Sequence, residues 1–121
     1  MLFRSITDKV FVSPGATARN LINSEEKTDS VLKNRKLRIL CVARIHPRKG
    51  QDKVLSAVES LPPDLKKNIK CEFVGPILKK DFYKKLLKQA ENLDSEVRFH
   101  GDLSDSKLNK VYQTSDIFIL P

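Results

Sequence analysis

Two cysteines, two histidines and 7% aromatic residues leave this 121-residue chain short of the side chains that staple or metal-bind small domains. Cys41 and Cys71 match no zinc or disulfide spacing. Each lies in an apolar, strand-like run, so both are read as reduced core thiols. No cluster of metal ligands stands out, and no cofactor or metal is expected. No apolar run approaches the length of a membrane span. The start, Met1 to Asp8, lacks the long apolar core of a secretory signal. These absences give a cytoplasmic expectation. Internal repeats and low-complexity segments are also missing. Acidic residues are outnumbered, 15 against 23 basic ones, for a net charge of +8. That balance favours an anionic partner, whether nucleotide, phospholipid surface or nucleic acid. Nucleic acid is the weakest of the three, because aromatics are few and no RNA- or DNA-reading motif is present.

What the chain does have is a soluble globular composition, 40% apolar and 31% charged, at a length that suits one modest domain. Lys9 to Ser13 reads as a short strand, and Pro14-Gly15 as a turn. From Ala16 to Lys36 the chain is mostly polar, with one helical turn near Ala18 to Leu21. Residues 1–36 are therefore taken as a lead-in and 37–121 as the domain proper. Leu37 to Ala43 is a near-continuous apolar strand, as in parallel sheets. Gln51 to Leu61 carries Val54, Leu55, Val58 and Leu61 on one helical stripe, and Pro62-Pro63 ends it. Lys70 to Gly75 is the next strand. Asp81 to Leu93 has the clearest amphipathic pattern, with Phe82, Leu86, Ala90 and Leu93 on one face. Val97 to Phe99 is a strand. Ser104 is an N-cap, and Leu108, Val111 and Tyr112 form the buried face of the helix it starts. Ile117 to Leu120 is the last strand. Strands alternating with helices predict an α/β fold, a Rossmann-like parallel sheet with right-handed crossovers. Arg44, Gly75, Gly101 and Pro121 all fall at strand carboxyl ends. Because the last strand runs to the final residue, the chain is expected to be a piece of a larger domain, with apolar surface exposed near Ile117 and Ile119.

The stretch from Arg38 to Gln51 is the most informative. An apolar strand leads into a basic loop, and the loop into a helix. Ligands bind at such carboxyl ends in open parallel sheets. Arg44 offers a planar fork of donors, Lys49 a compact charge, and the helix start a partial positive charge, together a site for a phosphorylated ligand. A plain solvated basic loop has the same pattern. His46 and His100 read as lone loop histidines with no carboxylate partner, so neither is read as a catalytic base. Lys80, Lys84 and Lys88, flanked by Lys85, recur at helical spacing. They read as a solvated face or, more sharply, as a surface for anionic lipid headgroups.

Ala43 to Gly50 resembles the Arg-x4-Lys-Gly segment of retaining glycosyltransferases of family 4, which have the GT-B fold. Cys71 to Pro76 is similar to that family's second strand and glycine turn, and Val97 to Leu103 to its RF-x-G strand and loop. Ser104 to Tyr112 resembles the helix that follows, and Ser115 to Pro121 the AD-x-F-x-x-P strand. Val12 to Gly15 resembles the strand and turn that precede the domain. One departure is Ala43, where many members have Gly. The resemblance implies the donor-binding half of a GT-B enzyme that transfers sugar from a nucleotide-diphosphate sugar with retention. Arg44 and Lys49 would hold the donor diphosphate. Gly75, His100, Gly101, Asp102 and Leu103 would lie near the nucleotide, the loop from His100 to Leu103 against the nucleobase. Implied partners are the nucleotide-sugar and a lipid- or glycan-linked acceptor, with peripheral contact at the inner face of an anionic membrane. The family's E-x7-E segment and its acceptor-binding domain lie outside these residues, so no complete catalytic set is expected here. A non-catalytic nucleotide-binding or regulatory module of the same fold remains an alternative, and a basic nucleic-acid-binding domain a second.

Overall fold

A computed structural model describes residues 10–12 and 36–119 of the chain. Five strands form one sheet: β1 (Val10–Val12), β2 (Leu37–Val42), β3 (Ile69–Val74), β4 (Glu96–Gly101) and β5 (Ile117–Ile119). Four helices punctuate them: α1 (Gln51–Glu59), α2 (Pro63–Lys66), α3 (Lys80–Glu91) and α4 (Asp105–Thr114). The spatial order is β1-β5-β2-β3-β4, and every pair is parallel. The chain builds outward from β2 through β3 to β4, then crosses back to place β5 on the other side of β2. This makes a doubly wound, Rossmann-like sheet whose switch point lies between β2 and β5.

Alternation along the strands divides the side chains between two faces. Ile39, Cys41, Ile69, Cys71, Phe73 and Ile117 face α1 and α3, where Leu55, Val58, Phe82 and Leu86, with Ile45 and Leu93, complete a core of twelve buried residues. Phe73 stacks on Phe99 at 5.2 Å, and Tyr83 meets Phe99 edge-on at 5.3 Å. The opposite face holds a smaller cluster, Leu40, Val74 and Phe118, with Leu103, Leu108 and Val111 packed against it. At the amino ends, the Asp116 N–H donates to the Arg38 carbonyl at 2.9 Å, and the Arg38 N–H donates to Asp116 Oδ2 at 3.0 Å. This two-point clamp sets the register of β5 on β2.

Several expectations change. Ile117 is buried, not exposed, because β5 is an interior strand flanked by β1 and β2. Ile119 is partly buried. Tyr112 is 37% exposed and no residue of α4 is fully buried, since α4 is the one described helix on its face. It still places Tyr112 edge-on to Phe118 at 5.2 Å. α1 stops at Glu59, before Leu61. The proline pair does more than end a helix: Pro63 occupies the first position of the short α2, where its fixed φ suits a helix start. The turn at Pro14-Gly15, the helical turn near Ala18 to Leu21, and the position of Pro121 lie outside the described residues.

Cys41 and Cys71 are free and buried, 2% and 0% exposed. Burial pushes the Cys41 thiol up to about 11 and the Cys71 thiol to about 12, the latter helped by Cys41 and Glu72. Thiols held above the ordinary 9.0 stay protonated in the fold while the unfolded chain ionises. Stability from this source is therefore intact below pH 9 and is lost as pH rises towards 11. We expect neither thiol to react with a disulfide reagent at pH 8 until denaturant is added, when both react. Denaturant midpoints should fall between pH 8 and pH 10.5, by less when both cysteines are replaced by alanine.

Candidate functional site at the carboxyl ends of the strands

The loops that follow β2 and β3 are zipped together beyond the sheet. The Ala43 N–H donates to the Val74 carbonyl and the Ile45 N–H to the Pro76 carbonyl, both at 2.8 Å, and Ile45 bridges to Ile77 in parallel. Ile45 is 2% exposed and anchors this extension in the larger core. Gly75, with φ +144°, passes so close to β2 that a Cβ would overlap the Ala43 carbonyl group. The glycine is thus required by its neighbouring strand, a use distinct from approach to a ligand. The Gly75 N–H then donates to the Gly101 carbonyl at 2.8 Å, carrying the ladder on to β4.

From Arg44 the chain folds into a closed turn. Pro47–Lys49 is a 3-10 segment, and His46 accepts the Arg48 N–H on Nδ1 at 3.1 Å. His46 is therefore a cap, with its Nδ1 lone pair occupied by the backbone. The Lys49 N–H donates to the His46 carbonyl at 2.9 Å, and Gly50 ends the turn and caps α1. Gln51, wholly buried at the first position of α1, donates from Nε2 to the Arg44 carbonyl at 2.8 Å. Its Oε1 has no partner. Gln51 fixes where the strand lets go of Arg44, and nothing in the sequence separated it from an ordinary polar helix start.

This scaffold leaves Arg44, Arg48 and Lys49 exposed. None of the three makes an ion pair among the described residues, and all three lie on the turn between the end of β2 and the start of α1. The charges that do pair lie elsewhere. Lys36 meets Glu96 at 3.3 Å, and Arg98 meets Glu96 at 3.6 Å. The Lys36 hydrogen bond holds the Glu96 carboxyl below its ordinary range.

The residues that the resemblance put near the nucleotide divide. His100 and Gly101 belong to β4 and not to a loop, because the ladder from Val74 and Gly75 continues through Gly101. His100 Nε2 lies 3.3 Å from Glu72 Oε1, and Lys70 Nζ lies 3.4 Å from the same oxygen. Glu72 is 4% exposed, and its Oε2 is unpartnered. So His100 does have a carboxylate beside it, on the neighbouring strand, where sequence distance hid it. Leu103 turns into the smaller core, and Asp102 is exposed at the strand end.

Residues 23–121 match the family model described as glycosyl transferases group 1. The chain belongs to that family. No curated protein matches the sequence. A group 1 glycosyltransferase transfers a sugar from a donor to an acceptor, and the Rossmann-like sheet seen here is consistent with one half of a GT-B enzyme. No group of three or more His, Cys, Asp or Glu residues able to hold a metal occurs among the described residues.

Two glycine substitutions separate packing from conformation in this glycosyltransferase. Gly75→Ala adds a Cβ against rigid backbone at positive φ and should lower unfolding stability by about 3 kcal/mol or more. Gly101→Ala meets no atom within 4 Å, so only its φ of +67° opposes it, and it should cost about 1 kcal/mol. Urea denaturation of the two variants checks the order.

Proposed function

We propose that this chain is the donor-binding part of a retaining, family 4 glycosyltransferase that uses a nucleotide-diphosphate sugar. The observation that carries the reading is a pair of exposed cations, Arg44 and Lys49, without an ion pair among the described residues, on the turn between the carboxyl end of β2 and the start of α1, beside the β2/β5 switch point. Helix starts and unpaired cations favour an anion at that place. In the proposed reaction the bond from the anomeric carbon to the diphosphate oxygen breaks, and charge builds on the leaving diphosphate. Arg44 spreads donors over two oxygens, and Lys49 adds a point charge. Their attraction grows as the charge develops, so it lowers the barrier and not merely the binding energy. The reading calls on no metal. Gly101, Asp102 and the backbone after β4 are assigned to the nucleobase side, with His100 held behind them by Glu72. The acceptor in this reading is lipid- or glycan-linked. An acceptor embedded in lipid would place the enzyme at the cytoplasmic face of a membrane.

In the active enzyme, Arg44→Ala and Lys49→Ala should each reduce kcat/KM by about 10²–10³ with the preferred donor. Lys107→Ala, on the exposed side of α4, should leave it unchanged. Assays of purified variants against a panel of uridine, guanosine and adenosine diphosphate sugars check this. Near-normal kcat/KM in both site variants would remove the diphosphate assignment.

A further inference from the structure

We propose that the outer face of α3, with the loop before it, is a docking surface for an anionic lipid bilayer. The proposal deepens the membrane-facing part of the function given above. Its starting point is a coincidence of two kinds of exposed side chain. Ile77 and Leu78, in the loop that leads into α3, are 41% and 52% exposed, and Leu87 on α3 is 37% exposed. Lys79, Lys80, Lys84, Lys85 and Lys88 stand among them, all exposed. None of these lysines makes an ion pair among the described residues, although Asp81 and Glu91 lie on the same helix. Lys80, Lys84, Leu87 and Lys88 follow helical spacing and so share one side of α3.

A solvated face accounts for lysines alone, but not for bare isoleucine and leucine beside them. The apolar face of α3 is already used, since Phe82 and Leu86 are buried in the larger core. The helix therefore cannot sink into a bilayer as a free amphipathic helix does. It can lie against the headgroups through its lysines while Ile77 and Leu78 enter the interface at one end. Stable membrane attachment generally needs two such signals, one apolar and one polybasic. The same loop is zipped to Ile45 by the Ile77 bridge and by the bond from the Leu78 N–H to the Ile45 carbonyl at 3.3 Å. Docking there would bring the carboxyl end of the sheet, and Arg44 with it, close to the lipid surface. An acidic protein partner would satisfy the lysines equally well but gives no reason for apolar residues at the end of the row.

Sedimentation of the full chain with vesicles tests this. Vesicles of phosphatidylcholine with roughly one-third phosphatidylglycerol should bind the chain, pure phosphatidylcholine should not, and added salt should weaken the binding. Each lysine contributes about fivefold, so Lys84→Glu/Lys88→Glu should lower partitioning by about twenty-five-fold or more. Leu78→Ser should lower it severalfold at unchanged charge. Lys107→Glu/Lys110→Glu, on α4 across the sheet, controls for net charge and should have a much smaller effect. Circular dichroism confirms that each variant folds. Equal loss in the α3 and α4 variants, no response to Leu78→Ser, or absence of vesicle binding alongside binding to a single-stranded oligonucleotide would each overturn the proposal. Nucleotide-sugar binding by the α3 variants should stay at the unaltered level, so failure here is separable from failure of the diphosphate site.

Discussion

The carbonyl of Ala43 lies against Gly75, and the arrangement of the carboxyl end depends on that contact. Backbone can come this close only where one partner has no Cβ. The close passage lets β2 and β3 keep pairing past their formal ends, through Ala43 to Val74 and Ile45 to Pro76. It buries Ile45, which holds the basic turn from below, while Gln51 holds it from the side through the Arg44 carbonyl. With both ends tied, the turn has one place to put Arg44, Arg48 and Lys49, which is outward.

The distribution of charge follows from the same architecture. Away from the turn the basic side chains find acidic partners: Lys36 meets Glu96, Lys70 meets Glu72 along β3, and His100 reaches Glu72 across from β4. Pairs such as the exposed Lys36–Glu96 contribute little to stability. The buried Glu72 is different, because a carboxylate at 4% exposure needs both neighbours, and even so keeps one oxygen without a partner. Asp52 stands in the first turn of α1, yet no ion pair forms at the basic turn among the described residues. Cations without an ion pair among the described residues, beside a helix start, are poorly placed for stability and well placed for an anionic ligand, and the chain's family transfers sugars from a donor to an acceptor.

Much of this was legible in the sequence, for reasons that differ from element to element. β2 shows because a buried parallel strand is a near-continuous apolar run, and α3 because Phe82, Leu86 and Ala90 keep helical period, although it ends at Glu91, before the Leu93 that the pattern included. Arg44 and Lys49 stand out because a basic loop between an apolar strand and a helix is easily seen. What stayed hidden depends on contacts between residues distant in sequence. Glu72 drew no reading from the sequence, because its tie to His100 crosses from β3 to β4. The partial exposure of Tyr112 reflects how few elements cover the face of α4, which periodicity does not report. Ile117 was misjudged because the partner that shields β5, the three-residue β1, lies at the other end of the chain.

The central claim is that a nucleoside diphosphate binds at the carboxyl ends of β2, β3 and β4. Amide chemical-shift mapping of the isotopically labelled chain, titrated with uridine, guanosine and adenosine diphosphates in turn, tests it most directly. The account predicts that one of them shifts the amides of Arg44, Ile45, Lys49 to Asp52, Gly75 and Gly101 to Leu103, and leaves those along α3 in place. Saturable shifts confined to α3, or none at the basic turn with any of the three, would contradict it.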